Sequence, residues 1–232
     1  MFLLQIDTLS TAVDSLQQNS GSSTQEEVLS LFDLLTKGGW IMIPIALLSV
    51  VTVYLFVERL FTIQKASKTP TNFMEQIKVL VLNNDISGAK NLCIRENTPI
   101  ARMVEKGITR IGSPLKNIEA SIENVGKIEI YRLEKNLSIL ATISGAAPMI
   151  GFLGTVTGMI QAFMNIANIE GQVTPGDLST GIYEAMITTA AGLVVGIMAY
   201  LAYNFLVARV QKQIHAMEYT SINFIDLLQE PN

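Results

Sequence analysis

Three threonines and one carboxylate stand out in stretches of this chain that otherwise carry no ionisable group. Thr155 lies in the uncharged run 136–169, Thr188 and Thr189 lie in a second run, 185–208, and Glu184 sits at the edge of that second run. A hydroxyl in an apolar helix either bonds back to its own backbone or lines a polar path. An intramembrane carboxylate is costly and usually faces a cavity or a partner. If buried, Glu184 is a candidate proton acceptor; at the outer edge, its side chain would merely reach interfacial water. The chemistry on offer is proton movement along hydroxyls and a carboxylate. The set is incomplete, because one acid and a few hydroxyls make a poor relay and this chain supplies no second acid in these runs.

Small residues surround these groups at helical spacing. Ala147, Gly151, Thr155, Gly158 and Ala162 recur at steps of four or three, and Thr188, Gly192, Gly196 and Ala199 do the same in the second run. Such faces let helix backbones approach closely in a bilayer, so the glycines and alanines, Gly154 among them, are read as helix packing. Thr155 lies 20 residues beyond Lys135, and Thr189 lies 20 residues before Arg209. Antiparallel neighbouring helices would therefore carry both hydroxyls to one layer, roughly 30 Å from those charges at ~1.5 Å per residue.

The elements that must position them are membrane helices. The 232-residue chain is 49% hydrophobic and 16% charged, its mean hydropathy is +0.38, and the apolar residues are clustered. Besides the two runs above, 38–57 carries no charge, and about 18 or more such residues can cross a bilayer's ~30 Å hydrocarbon core. The expected fold is an all-α membrane protein with three transmembrane helices, at 38–57, 136–169 and 178–208. A helical loop at 58–135 and a short loop at 170–177 join them, and a tail follows at 209–232. Basic loops stay in the cytoplasm. Of the sixteen Lys and Arg residues, Lys37 alone lies outside 58–135 and the tail, so loop and tail are expected inside, with 1–37 and 170–177 on the outer side.

Within 58–135, Thr69 before Pro70, Thr98 before Pro99 and Ser113 before Pro114 each offer a hydroxyl cap with proline at the first helical position. Asn84 and Asp85 add a fourth start. Short helices are expected after Pro70, Asp85 and Pro99, and a long one from Pro114 running unbroken into the second span. At ~1.5 Å per residue, 114–169 would cover about 84 Å and project far into the cytoplasm. Ahead of the first span, Phe2, Ile6, Leu9, Val13 and Leu16 form an amphipathic stripe with no basic residue before it. It is read as a retained segment, lying on a membrane surface or packing on the rest of the protein. Thr24 and Glu27 read as a capping box that starts a short helix, Gly38 and Gly39 as a bend, and Trp40 as an interfacial aromatic.

Other functions find little support. A formal net charge of −4, with the basic residues interleaved with Glu105, Glu119 and Glu129, offers no footprint for nucleic acid. The single cysteine, Cys93, falls in the inner loop and is read as a buried structural thiol. The lone His215 lies in the tail and is read as solvated. No metal site and no nucleophile with its base can be assembled in the spans, so neither an enzyme nor a cofactor is expected. A passive scaffold that only gathers partner helices remains the competing reading.

The segment APMIGFLGTVTGM from Ala147, followed by Pro175 and Gly176 and then by EAMITTAAGL from Glu184, resembles the ExbB, TolQ and MotA family of ion-driven motor stators. The resemblance covers the whole layout. MotA-type proteins have a fourth span, so ExbB or TolQ is the nearer match, with ExbB preferred. What it implies is a homopentamer in the bacterial inner membrane whose second and third helices line a central pore. Transmembrane helices of a dimeric ExbD or TolR partner would fill that pore, the partner's aspartate supplying the missing acid. Motion driven by the proton motive force would then pass to a periplasm-spanning TonB-like or TolA-like protein. The family's pore threonines match Thr155 and Thr189, its third-span glutamate matches Glu184, and Thr188 accompanies them in the pore-lining set. Many relatives carry an aromatic after the Gly-Thr-Val triplet, where this chain has Thr157.

Overall fold

The computed structural model describes residues 38–68, 70, 72–168 and 175–229. The stripe at 1–20 and the capping box at Thr24 lie outside them. The described residues form helices α1 (Met42–Ala66), α2 (Phe73–Leu82), α3 (Ile86–Glu96), α4 (Pro99–Thr109), α5 (Leu115–Glu134), α6 (Leu137–Ala167) and α7 (Pro175–Gln229), and no strand among them. Three stretches are long and apolar enough to cross a membrane, in α1, in α5 with α6, and in α7. The all-α membrane fold is therefore present. Its third helix is a single rod of 55 residues, about 82 Å at ~1.5 Å per residue, that carries the chain from the apolar seam through the segment expected as a tail.

Helix starts follow local chemistry at two of the four expected sites. Thr98 accepts a hydrogen bond from the Ala101 backbone N–H at 3.3 Å, with Pro99 in the first turn, and Asp85 accepts from Gly88 N–H at 2.8 Å. The other two starts are displaced. Pro70 precedes α2 and accepts from Phe73 N–H at 3.0 Å, so the helix begins three residues late. Pro114 stands just before α5 in extended conformation, with no side-chain cap.

The second correction is larger. No unbroken helix runs from Pro114 into the second span, because Lys135 (φ −50°, ψ 136°) and Asn136 (φ 66°, ψ −3°) separate α5 from α6. These are the dihedrals of a type II turn, whose third position requires positive φ and tolerates asparagine. The break is made by an asparagine and not by a proline. The proline that is present, Pro148, stays inside α6, where it removes the donor that would have reached the Ser144 carbonyl. Gly196 of α7 makes room for its ring.

Below the apolar seam, α2, α4 and α5 pack against the far half of α7, and α3 packs on α2 and α4. Phe73, Ile77, Val104, Ile108, Ile122, Met217 and Phe224 are almost fully buried there. On α7, Val210, Ile214, Met217, Phe224 and Leu227 line the buried face at the 3–4 residue spacing of an amphipathic helix. Gly107 lets the Phe224 ring lie against α4, since a side-chain carbon there would stand 2.5 Å from the ring. His215 is exposed and its Nδ1 lies 3.4 Å from Glu218, a solvated position as expected.

Cys93 belongs to this core, 1% exposed. Burial first, and Glu105 second, push its thiol from the ordinary 9.0 up to about 12. Below pH 9 the thiol is neutral in folded and unfolded chains alike. Between about 9 and 12 the unfolded chain ionises and the folded chain does not, so this site's contribution to stability is lost as pH rises through that window. Maleimide labelling at pH 8 should leave Cys93 unmodified in native protein and modify it fully once denaturant is added. Rapid native labelling would contradict its burial.

Candidate functional site

The backbones of α6 and α7 approach closely, and glycine makes it possible. A side-chain carbon at Gly192 would stand 2.7 Å from the Ala147 carbonyl oxygen and 2.8 Å from the Gly151 Cα; one at Gly151 would stand 2.9 Å from the Thr188 carbonyl oxygen. These neighbours are backbone atoms and cannot swing aside. Farther along the seam, Gly158 faces Ala185 and Gly181, and Ala162 faces Gly181. Ala147, Gly151, Gly154, Gly158, Ala162, Gly192, Gly196 and Ala199 are all buried within the single chain.

The threonines divide. Thr188 is 1% exposed and donates to the Ala185 carbonyl of its own helix at 2.8 Å. Its side chain occupies the space that a residue larger than glycine at 154 would need. Within the chain Thr188 is therefore part of the packing seam, a correction to its expected place in a pore lining. One residue on, and about 100° around the helix, Thr189 is half-buried and donates across the seam to the Gly151 carbonyl at 2.9 Å. Thr155, one turn beyond Gly151, is also half-buried and donates back to the Phe152 carbonyl at 2.6 Å. Thr189 and Thr155 thus flank the seam within about one helical turn of each other, roughly 6 Å along the axis. Thr157 shares its proton between the Leu153 and Gly154 carbonyls at 3.1 Å each.

Glu184 is half-buried, five residues from Thr189 toward the start of α7. Its Oε1 fills the space where any side chain at residue 39 would lie, and Gly39 has φ +64°, doubly restricting that position to glycine. The carboxylate is therefore lodged against the bend that leads into α1, beside the 66% exposed Trp40, at the rim of the apolar region. The expected bend at Gly38 and Gly39 is present. No group of three or more His, Cys, Asp or Glu side chains among the described residues is arranged to hold a metal. Between Leu137 and Ala167, and again from Ala185 to Ala208, the chain has no charged residue, so the hydroxyl layer has no acid of its own.

Sequence reasoning missed a polar cluster at the far end of α1. Glu129 is 3% exposed, its two oxygens held by Arg102 at 2.5 and 3.0 Å and by Arg132 at 2.7 Å. Arg59, 5% exposed, donates to the Arg132 carbonyl at 3.2 Å and pairs with Glu58. Ser67 donates to the buried Gln213 of α7 at 2.8 Å. These partners are 27, 73 and 146 residues apart, and no local pattern announces them.

The family described as MotA/TolQ/ExbB proton channel matches residues 95–219, over half of the chain. An ExbB-like biopolymer transport protein of Synechocystis is 28% identical over 186 residues, 79% of this chain and 73% of its own length. The ExbB biopolymer transport protein of Neisseria meningitidis serogroup A is 27% identical over 72% of this chain and 80% of its own. The TolQ protein of the Tol-Pal system of Haemophilus influenzae is 41% identical over 98 residues, and the aligned part spans 41% of its length.

Gly192→Ala is expected to force α6 and α7 apart and to lower the thermal unfolding midpoint in detergent. Gly145→Ala, whose new methyl would meet nothing within 4 Å, should instead stabilise by up to about 1 kcal/mol through helix propensity alone. Equal effects of the two substitutions would show that the seam does not set stability.

Proposed function

Since the chain belongs to the MotA/TolQ/ExbB proton channel family, we propose that it is a subunit of an ExbB-like, proton-driven motor in the bacterial inner membrane. The observation that carries this reading is the pair of half-buried hydroxyls flanking the α6–α7 seam, Thr189 on the Gly151 carbonyl and Thr155 one turn away, in a stretch without an acid. Five copies would surround the transmembrane helices of an ExbD-like or TolR-like dimer, whose aspartate would enter this hydroxyl layer.

The threonines suit that task. Each donates its proton to a backbone carbonyl while resting, and each keeps oxygen lone pairs that can accept from a protonated acid or a water. Rotating the hydroxyl turns the same group into a donor toward a carboxylate. An ionised aspartate would be held at this layer, and a neutral one released to move with its helix. The membrane potential adds ~2.3 kcal/mol per charge per 100 mV, enough to bias each step. Glu184, at the rim, would stand on the approach to the layer. The basic residues of the loop and tail support a topology with 58–135 and 209–232 in the cytoplasm and the N-terminus in the periplasm. Work would pass to a TonB-like periplasm-spanning protein for uptake across the outer membrane. A TolQ-like role in envelope integrity, passing work to a TolA-like protein, is the second reading, favoured by the 41% identity to TolQ over the matched segment. In neither reading is the chain an enzyme.

Thr155→Val and Thr189→Val are expected to abolish proton-coupled uptake while the complex still assembles, because the bond to Gly151 lost in the second is worth only about 0.6 kcal/mol in a membrane. Thr189→Ser should restore coupling. Cellular uptake, proton flux in proteoliposomes and recovery of the complex by affinity purification read the three outcomes. Normal uptake in both valine variants would remove the pathway, and uptake without proton movement would favour a passive scaffold.

Co-purification separates the two motors. An ExbD-like and TonB-like pair is expected to come with this chain; recovery of TolR-like and TolA-like proteins instead would assign it to envelope maintenance.

A further inference from the structure

A cavity of about 230 Å³ opens where the end of α1 meets the α3–α4 junction and the end of α5, lined by Thr62, Lys65, Asn97, Arg102, Glu129 and Arg132. Three of these side chains are cationic and one is anionic. With the neighbouring Arg59 and Glu58 pair included, the cluster holds four positive and two negative charges, a formal excess of two. We propose that this cavity binds the phosphate of an anionic phospholipid head group.

The buried Glu129 orients the cluster. It holds Arg102 in a two-point pair, and Arg102 spends its remaining terminal nitrogen on the carbonyl and side-chain oxygens of Asn97 at 2.9 and 2.8 Å. Among the described residues the Arg132 side chain is engaged through Nη1 alone, which leaves Nε and Nη2 for a ligand; the side chain is 61% exposed. Lys65 is exposed and makes no ion pair among the described residues. An arginine fork beside a mobile ammonium is the donor set that a phosphate monoanion requires.

Depth selects a lipid as the source. The uncharged run of α1 ends at Val57, and Thr62 lies five residues, about 7.5 Å, farther along the helix. That matches the ~5–8 Å of head-group layer on each side of the hydrocarbon core. Phe61, on the same turn, is 66% exposed and would sit at the membrane interface, where aromatic side chains are favoured. Basic pockets between helices at this level are suited to anionic head groups.

The test uses the full-length complex in nanodiscs of phosphatidylcholine with or without phosphatidylglycerol, followed by native mass spectrometry of retained lipid. The expected result is preferential retention of phosphatidylglycerol, weakened about thirtyfold in Lys65→Gln/Arg132→Gln. Lys65→Gln alone, which touches no ion pair, should give a partial loss with an unchanged unfolding midpoint. Millimolar inorganic phosphate should not displace the lipid; displacement would keep the phosphate site and assign its ligand to the free anion. Equal retention of the two lipids by the wild type, or equal retention of phosphatidylglycerol by wild type and double variant, would overturn the proposal.

Discussion

The contact between the backbones of α6 and α7 is the constraint on which the rest of this molecule depends. In lipid no hydrophobic effect presses two apolar helices together, so their association relies on van der Waals contact and on hydrogen bonds between them. Gly151 and Gly192 supply the first, with atoms so near that one added carbon on either would strike backbone. The Thr189 hydroxyl on the Gly151 carbonyl supplies the second. A seam built from the smallest residues leaves the large ones to face outward: Met149, Phe152, Leu193 and Ile197 are all exposed in the single chain. The half-buried hydroxyls fall at the margin between these two surfaces. That margin is where a helix from another chain would meet both an apolar wall and a few polar atoms.

The seam is also coupled mechanically to the helices below it. Because α7 is continuous from Pro175 to Gln229, the rod that carries Thr189 also carries Met217 and Phe224 into the core formed with α2 to α5. The parallel route through α6 is jointed, since the turn at Lys135 and Asn136 interrupts it before α5 begins. One route is a single helix and the other is broken by a turn. The Arg102, Glu129 and Arg132 cluster secures the far end of this frame, because removing one partner of a buried ion pair would leave an uncompensated charge.

Much of this frame was legible in the sequence because it rests on periodicities that a membrane enforces. Uncharged runs of sufficient length marked the three crossings, and glycine spacing marked the seam, because lipid permits close helix contact by few other means. What stayed hidden depended on direction or on distance along the chain. Thr188 and Thr189 are chemically identical neighbours, yet about 100° of helix rotation places one inside the seam beside Gly154 and the other across it. Nothing in either residue type reports that angle. Asn136 breaks a helix although asparagine in most helices does not, because the break lies in its left-handed backbone rather than in its side chain. Glu129 looked like one acid among many in a mixed-charge helix; its partner on α4 makes it a buried anchor.

The position of Glu184 bears on how a proton-driven cycle would be ordered. An ionised carboxylate at the centre of a bilayer helix costs at least about 2.5 kcal/mol, comparable to what ~100 mV supplies to one charge. A carboxylate fixed in the middle of α7 would therefore stay neutral or hold one charge permanently, and neither suits repeated cycling. Glu184 is instead lodged against Gly39 at the rim, away from the middle of the helix where that cost would arise. About one turn inward lie only neutral hydroxyls, which can solvate a charge on a mobile partner without competing for its proton. In the proposed motor this arrangement would separate capture at the rim from the titration that drives movement, and would leave the second to a group on the mobile partner.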